Sequence, residues 1–145
     1  MKSVILAVLI LFSTELISEE VDLPVNYWIS LSEKEKISFI NGAYGAITLL
    51  KSHHKLEVKK QYLHDENWIE PYYISRFYNI SDEYWSNTVD YDLKIISLHI
   101  DALYSNSDNH IIPVFEALRV VSLIQDGERK KANLRLLQAQ RKYSK

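Results

Sequence analysis

Residues Ser32–Ser52, SEKEKISFINGAYGAITLLKS, decide the fold. Ser32 followed three residues later by Glu35 is the reciprocal capping pattern that satisfies two free amide donors at a helix start. Behind it Ile37, Ile40, Tyr44 and Ile47 recur at three- and four-residue steps, with Ala43, Ala46 and Leu50 beside them. That spacing predicts a helix from about Glu33 to Ser52 with one buried face. Gly42 and Gly45 lie inside it, each costing about 1 kcal/mol against Ala, and the close approach of a neighbouring helix is the expected reason.

Similar patterns follow downstream. Val89, Leu93, Ile96, Ile100 and Leu103 predict a second long amphipathic helix from about Asp82, capped by Ser81. The run Ser105-Asn-Ser-Asp-Asn109 ends it, because these side chains bond nearby backbone groups and favour turns. Pro113, tolerated in a first helical turn, precedes a third helix with Val114, Leu118, Val121 and Ile124, stopped at Gly127. A final helix runs from Glu128 to about Tyr143 with Ala132, Leu136, Ala139 and Tyr143 on one stripe.

Two stretches lack such a pattern. Val21 to Leu31 reads as an extended lead-in. Between Lys55 and Asn79 the aromatics follow no clean period and Pro71 interrupts any continuous helix, so a short helix before Pro71 and a short element after it are expected, with strands as the alternative. The fold class is therefore all-α, an irregular bundle of about four main helices.

At the N-terminus Lys2 precedes the apolar run Val4–Phe12, and polar Ser13, Thr14 and Glu15 follow. This is the layout of a secretory signal peptide, and the run is too short for a spanning helix of roughly 20 residues. Residues 1–18 are read as the leader, cleaved after Ser18, and residues 19–145 as a single helical domain, periplasmic or secreted, without stable membrane insertion once the leader is gone. The chain has no cysteine, which excludes disulfides, thiolate nucleophiles, Cys-ligated zinc and a lipidated N-terminal cysteine. A net charge of -2 argues against nucleic-acid binding. The basic C-terminal run from Arg129 to Lys145 reads as a solvated helix face, against an acidic middle that includes Asp82, Glu83, Asp90, Asp92, Asp101 and Asp108.

Candidate chemistry is sparse. His53 and His54 are adjacent and point about 100° apart on a helix, and His64-Asp65 adds no ligand spacing, so no metal site is assigned. His99 with Asp92, Asp101 or Glu116 would be the only acid–base candidates, and no nucleophile on a strained turn or phosphate-binding glycine loop accompanies them. Asp101, Asp108 and Asn109 miss the oxygen spacing of a helix–loop–helix calcium site, so the loop is read as a turn with Asn109 bonding nearby backbone. No catalytic residue and no cofactor are assigned. The densest group of amphipathic rings, Tyr72, Tyr73, Phe77, Tyr78, Tyr84 and Trp85, is the expected binding surface, with a protein as the expected partner.

Scattered positions carry a resemblance: Trp28 and Leu31, Ser32 to Lys36, Phe39-Ile-Asn-Gly42-Ala-Tyr-Gly45, Asp101, Tyr104, Asn109 and Ile112-Pro113. In these the chain resembles a loosely defined group of small exported bacterial helical proteins without assigned activity. It is more distantly similar to secreted immunity proteins that neutralise peptidoglycan-cleaving toxins. That resemblance implies a helical fold and, in the second case, an inhibitory protein–protein contact with a cell-wall hydrolase.

Overall fold

The computed structural model describes residues 23–89 and 92–144. The signal-peptide reading of residues 1–18, together with Asp90, lies outside the described residues. The described residues form six α-helices: α1 (Pro24–Ser30), α2 (Glu33–Tyr62), α3 (Tyr72–Asp82), α4 (Leu93–Tyr104), α5 (Val114–Gln125) and α6 (Arg129–Tyr143), with a 3-10 turn at Ser107–Asn109. The all-α class follows directly.

The expected extended lead-in is instead α1. Pro24 opens it, its fixed φ suiting a first helical turn, and Val25 and Trp28 bury one side three residues apart. Ser32 and Glu35 form the capping box: Glu35 N–H donates to Ser32 Oγ at 3.4 Å and Ser32 N–H to Glu35 Oε2 at 2.8 Å. The helix they start runs well past Ser52, because His53–Tyr62 consists mostly of good helix formers with no Gly or Pro. The short helix expected before Pro71 is therefore the end of α2, and residues 63–71 form turns. The element after Pro71 is helix α3.

The second long helix begins at Leu93, not near Asp82, with Asp92 as its N-cap residue. Ser81 caps nothing. It lies in the last turn of α3 and its hydroxyl donates to Phe77 O at 2.8 Å. The stretch between is held by Asp126 at the end of α5, whose carboxylate accepts from Ser86 Oγ (2.7 Å), Thr88 N (3.1 Å) and Asn87 N (3.2 Å). Burial pushes the Asp126 carboxyl up, but these hydrogen bonds outweigh it and hold it below its usual value. Pro113 directly precedes α5, and Gly127 ends it with φ +78°. There Glu128 N donates to Leu123 O and Gly127 N to Ile124 O, bonds that satisfy the last free carbonyls of the helix.

α5 is the centre of the domain. Its Val114, Ala117, Leu118 and Val121 join Trp28, Ile40, Tyr44, Ile96, Ile100 and Tyr104 in one core, and Val120 and Leu123 meet Ala132 of α6 in a smaller one. Tyr44 Oη lies 3.0 Å from Ser122 Oγ, and Tyr104 Oη donates to Ile112 O at 2.6 Å. Asp101 Oδ1 ties three helices together, accepting from Trp28 Nε1 and Lys36 Nζ, both at 2.7 Å. The turn after α4 hangs on Asn109, which donates to Leu103 O at 2.7 Å and accepts from Gln140 at 2.9 Å. Among the described residues, no buried side-chain polar atom lacks a partner.

The expected close helix approach at Gly42 and Gly45 does not occur among the described residues. Both are exposed, and a Cβ built on either meets nothing within 4 Å. Ile40, Ala43 and Tyr44 are the residues of α2 that enter the core.

Candidate functional site

Pro71, in extended conformation, starts α3, and the following eleven residues lay one side of the helix along α2. Ile74 is the buried residue of α3. His54 of α2 stacks on Phe77 with ring centres 4.6 Å apart, meets Tyr78 edge-on at 5.4 Å, and places Nδ1 3.0 Å from Tyr78 Oη. Lys55 lies 5.4 Å over the Tyr78 ring. The turns before Pro71 are pinned by Tyr62, which packs edge-on against Trp68 at 4.0 Å and donates to Glu70 at 2.8 Å.

These contacts leave a groove between α2, α3 and α5. It has a volume of about 380 Å³ and is lined by Ile47, Leu50, Phe77, Ile80, Ser81, Tyr84 and Phe115. Phe115 extends it, since its ring lies 5.3 Å from Phe39, which in turn meets Tyr27 at 6.1 Å. The charges behind Tyr84 neutralise one another. Arg119 lies over the Tyr84 ring at 5.2 Å and is bonded to Glu83 and Glu116.

Glu83 is 4% exposed and sits between two guanidinium groups. Its Oε2 accepts from Arg119 Nε and Arg135 Nε, each at 2.7 Å, and its Oε1 from Arg135 Nη2 at 2.7 Å. Burial pushes the Glu83 carboxyl up, but the hydrogen bonds from Arg135 and Arg119 and their charges hold it below the ordinary glutamate value. This clamp joins the end of α3 to α5 and α6, and so fixes Tyr84 at the groove wall. Burial raises the Tyr84 phenol, with the Glu116 charge adding to the effect, so the ring meets the groove in its neutral form.

The six aromatic residues expected to form one surface are divided. Phe77 and Tyr84 line the groove. Tyr78 turns onto His54. Trp85 packs on Tyr44 at 4.7 Å and borders a second groove, of about 410 Å³, between α2 and α4 with Gly45, Leu49, Ser52 and Leu93. Tyr72 and Tyr73, 78% and 69% exposed, stand in solvent on the first turn of α3 and line neither groove. The groove residues not foreseen as a binding surface are Ile47 and Leu50, expected on the buried face of α2 although Leu50 is 65% exposed, Ser81, expected as a cap, Ile80, and Phe115, which falls off the Val114–Leu118–Val121 stripe.

The remaining candidates do not assemble. His99 is exposed and its Nδ1 donates to Ile95 O at 2.7 Å, whereas Asp101 is engaged by Trp28 and Lys36 and Glu116 by Arg119. Among the described residues no three His, Asp or Glu side chains are grouped as metal ligands. The basic tail is more than a solvated face, since Arg135 reaches back to Glu83. No helix among the described residues is long and apolar enough to cross a membrane. Comparison with protein-family models, curated proteins and solved structures finds no match to the chain.

Proposed function

We propose that this chain is an exported, non-enzymatic interaction domain that receives an apolar segment of a protein partner in the groove between α2, α3 and α5. The observation that carries the reading is the groove itself: Leu50, Phe77 and Phe115 are exposed large apolar side chains lining one concavity. A pocket walled by apolar and aromatic side chains and a few polar groups suits an apolar ligand, because water released from it has no strong partner there. Of the lining residues only Ser81 and Tyr84 carry a polar group and none is charged, which favours an uncharged anchor over an ionic one. Export is supported by Lys2 and the apolar run Val4–Phe12.

The test is capture from the exported fraction with the tagged protein, comparing the parent with Leu50→Asp and Phe115→Asp. Both side chains are about half exposed or more, so these variants keep the fold while placing a carboxylate in the groove. The reading expects one stoichiometric protein, retained by the parent and lost from both variants. A protein retained equally by all three, or none retained by the parent, refutes it.

A further inference from the structure

The outward face of α2 has a regular pattern. Leu49, Leu56 and Leu63 follow at seven-residue steps with Gly42 one step before them, and the leucines are 58%, 55% and 71% exposed. Interleaved with them at alternating three- and four-residue steps are Ser38, Gly45, Ser52 and Lys59, also exposed. One heptad position is leucine and the other mostly small, a seam of knobs and gaps along which a second helix can pack. Nothing among the described residues covers it.

We infer that a second copy of this chain covers it, its α2 lying antiparallel across the seam. The occupant is set by how the pattern fits itself. With a twofold axis between Leu50 and Lys51, Leu56 of each copy faces Gly45 of the other, Leu49 faces Ser52, Leu63 faces Ser38, and the Lys59 stem crosses Gly42. Every leucine knob meets a small residue, so both sets of glycines and serines act as holes, as an isologous interface requires. A parallel pair would instead stack leucine on leucine and glycine on glycine, alternating crowded and empty layers. Beside the seam Lys55 falls opposite Thr48, and His53 opposite Ala46, so no charge meets its like. Antiparallel helix dipoles are favourable as well. The groove bordered by Trp85 and Leu93 runs along the same side, sharing Gly45, Leu49 and Ser52 with the seam, and the second helix would cover it too.

From Ser38 to Leu63 the seam is about 37 Å long, which with a helix about 10 Å wide gives a footprint of roughly 400 Å² on each partner. Counting both partners this is about 800 Å², below the range of stable interfaces, so the dimer is a weak, reversible one. It is independent of the partner groove, which faces another side of α2, and either can fail alone.

Because the chain has no cysteine, register is directly readable by cross-linking. Gly45→Cys and Leu56→Cys variants of the full chain are oxidised singly and as a mixture. The mixture is expected to give a disulfide-linked heterodimer, while each variant alone stays unlinked, since like residues lie about 16 Å apart along the axis. Sedimentation of the parent at about 100 µM should show twice the monomer mass, with Leu56→Asp weakening self-association at least tenfold without changing the helical circular dichroism. Linkage of like residues, or a parent that remains monomeric, overturns the inference. So does a seam blocked only by a different protein.

Discussion

Replacing Glu83 by Gln tests whether the clamp on the groove wall is held by charge. The carboxylate accepts three hydrogen bonds of 2.7 Å from Arg119 and Arg135, whose side chains are themselves only 13% and 14% exposed. Gln keeps the volume but turns an NH2 group toward a guanidinium and leaves two partly buried cations without their common counter-charge. Breaking a buried ion pair from one side costs about 3 kcal/mol or more. For a domain of this size that is a fall in melting temperature of roughly 10 °C. Thermal and urea melts at pH 7 read the effect. Glu83 has its folded pKa depressed, so its contribution is fully present above the unfolded value of about 4.3 and is lost as pH falls through the folded value. The difference between parent and E83Q should therefore shrink below about pH 4. The triple change E83L/R119M/R135M, which removes all three charges, should lie nearer the parent than E83Q does. An E83Q melting point within about 2 °C of the parent, or a difference that grows in acid, refutes the clamp.

Two further substitutions probe the scaffold. Trp28→Phe keeps a ring in the core but removes the N–H donor to Asp101, so a loss of about 1–2 kcal/mol is expected in urea unfolding; no loss would mean that Lys36 alone satisfies the carboxylate. Gly127→Ala should cost about 1–2 kcal/mol from the positive φ alone, since an added Cβ meets no atom. Gly42→Ala, in an ordinary helical conformation with the same free space, should raise monomer stability by up to about 1 kcal/mol. Equal melting shifts for the two glycine variants would refute the backbone account.

Helices were legible wherever one face is apolar and the ends are marked. The Ser32–Glu35 box and Gly127 fixed their termini because each acts through bonds within a few residues. The start of α4 was not legible. Val89 continues the Leu93–Ile96 spacing and packs against the same core, but as a turn residue held through Asp126, far along the chain. α1 was missed because its seven residues contain too few turns to display a period, and Pro24 was the one usable signal. The groove was half legible. Aromatic density singled out Phe77 and Tyr84, whereas Leu50 and Phe115 join them only after α2 and α5 are packed. Trp28, Lys36, Asp101, Tyr104, Asn109 and Ile112 are hydrogen-bonded parts of the scaffold and lie outside the groove.

α2 is the element on which both proposals depend, and its length is the reason. Its first half is held by the core through Ile40, Ala43 and Tyr44, while the second half touches the rest of the chain mainly through α3. A helix of 30 residues is about 45 Å long, and among the described residues its outer leucines are exposed. The groove lies on one side of this helix and the heptad seam on another. Substitutions at Leu50 and Leu56 are six residues, about 9 Å, apart along the axis and on different faces, so their effects should be close to additive. If Leu50→Asp abolished self-association as fully as Leu56→Asp, the two surfaces would be one, and the partner captured in the groove would be the second copy itself.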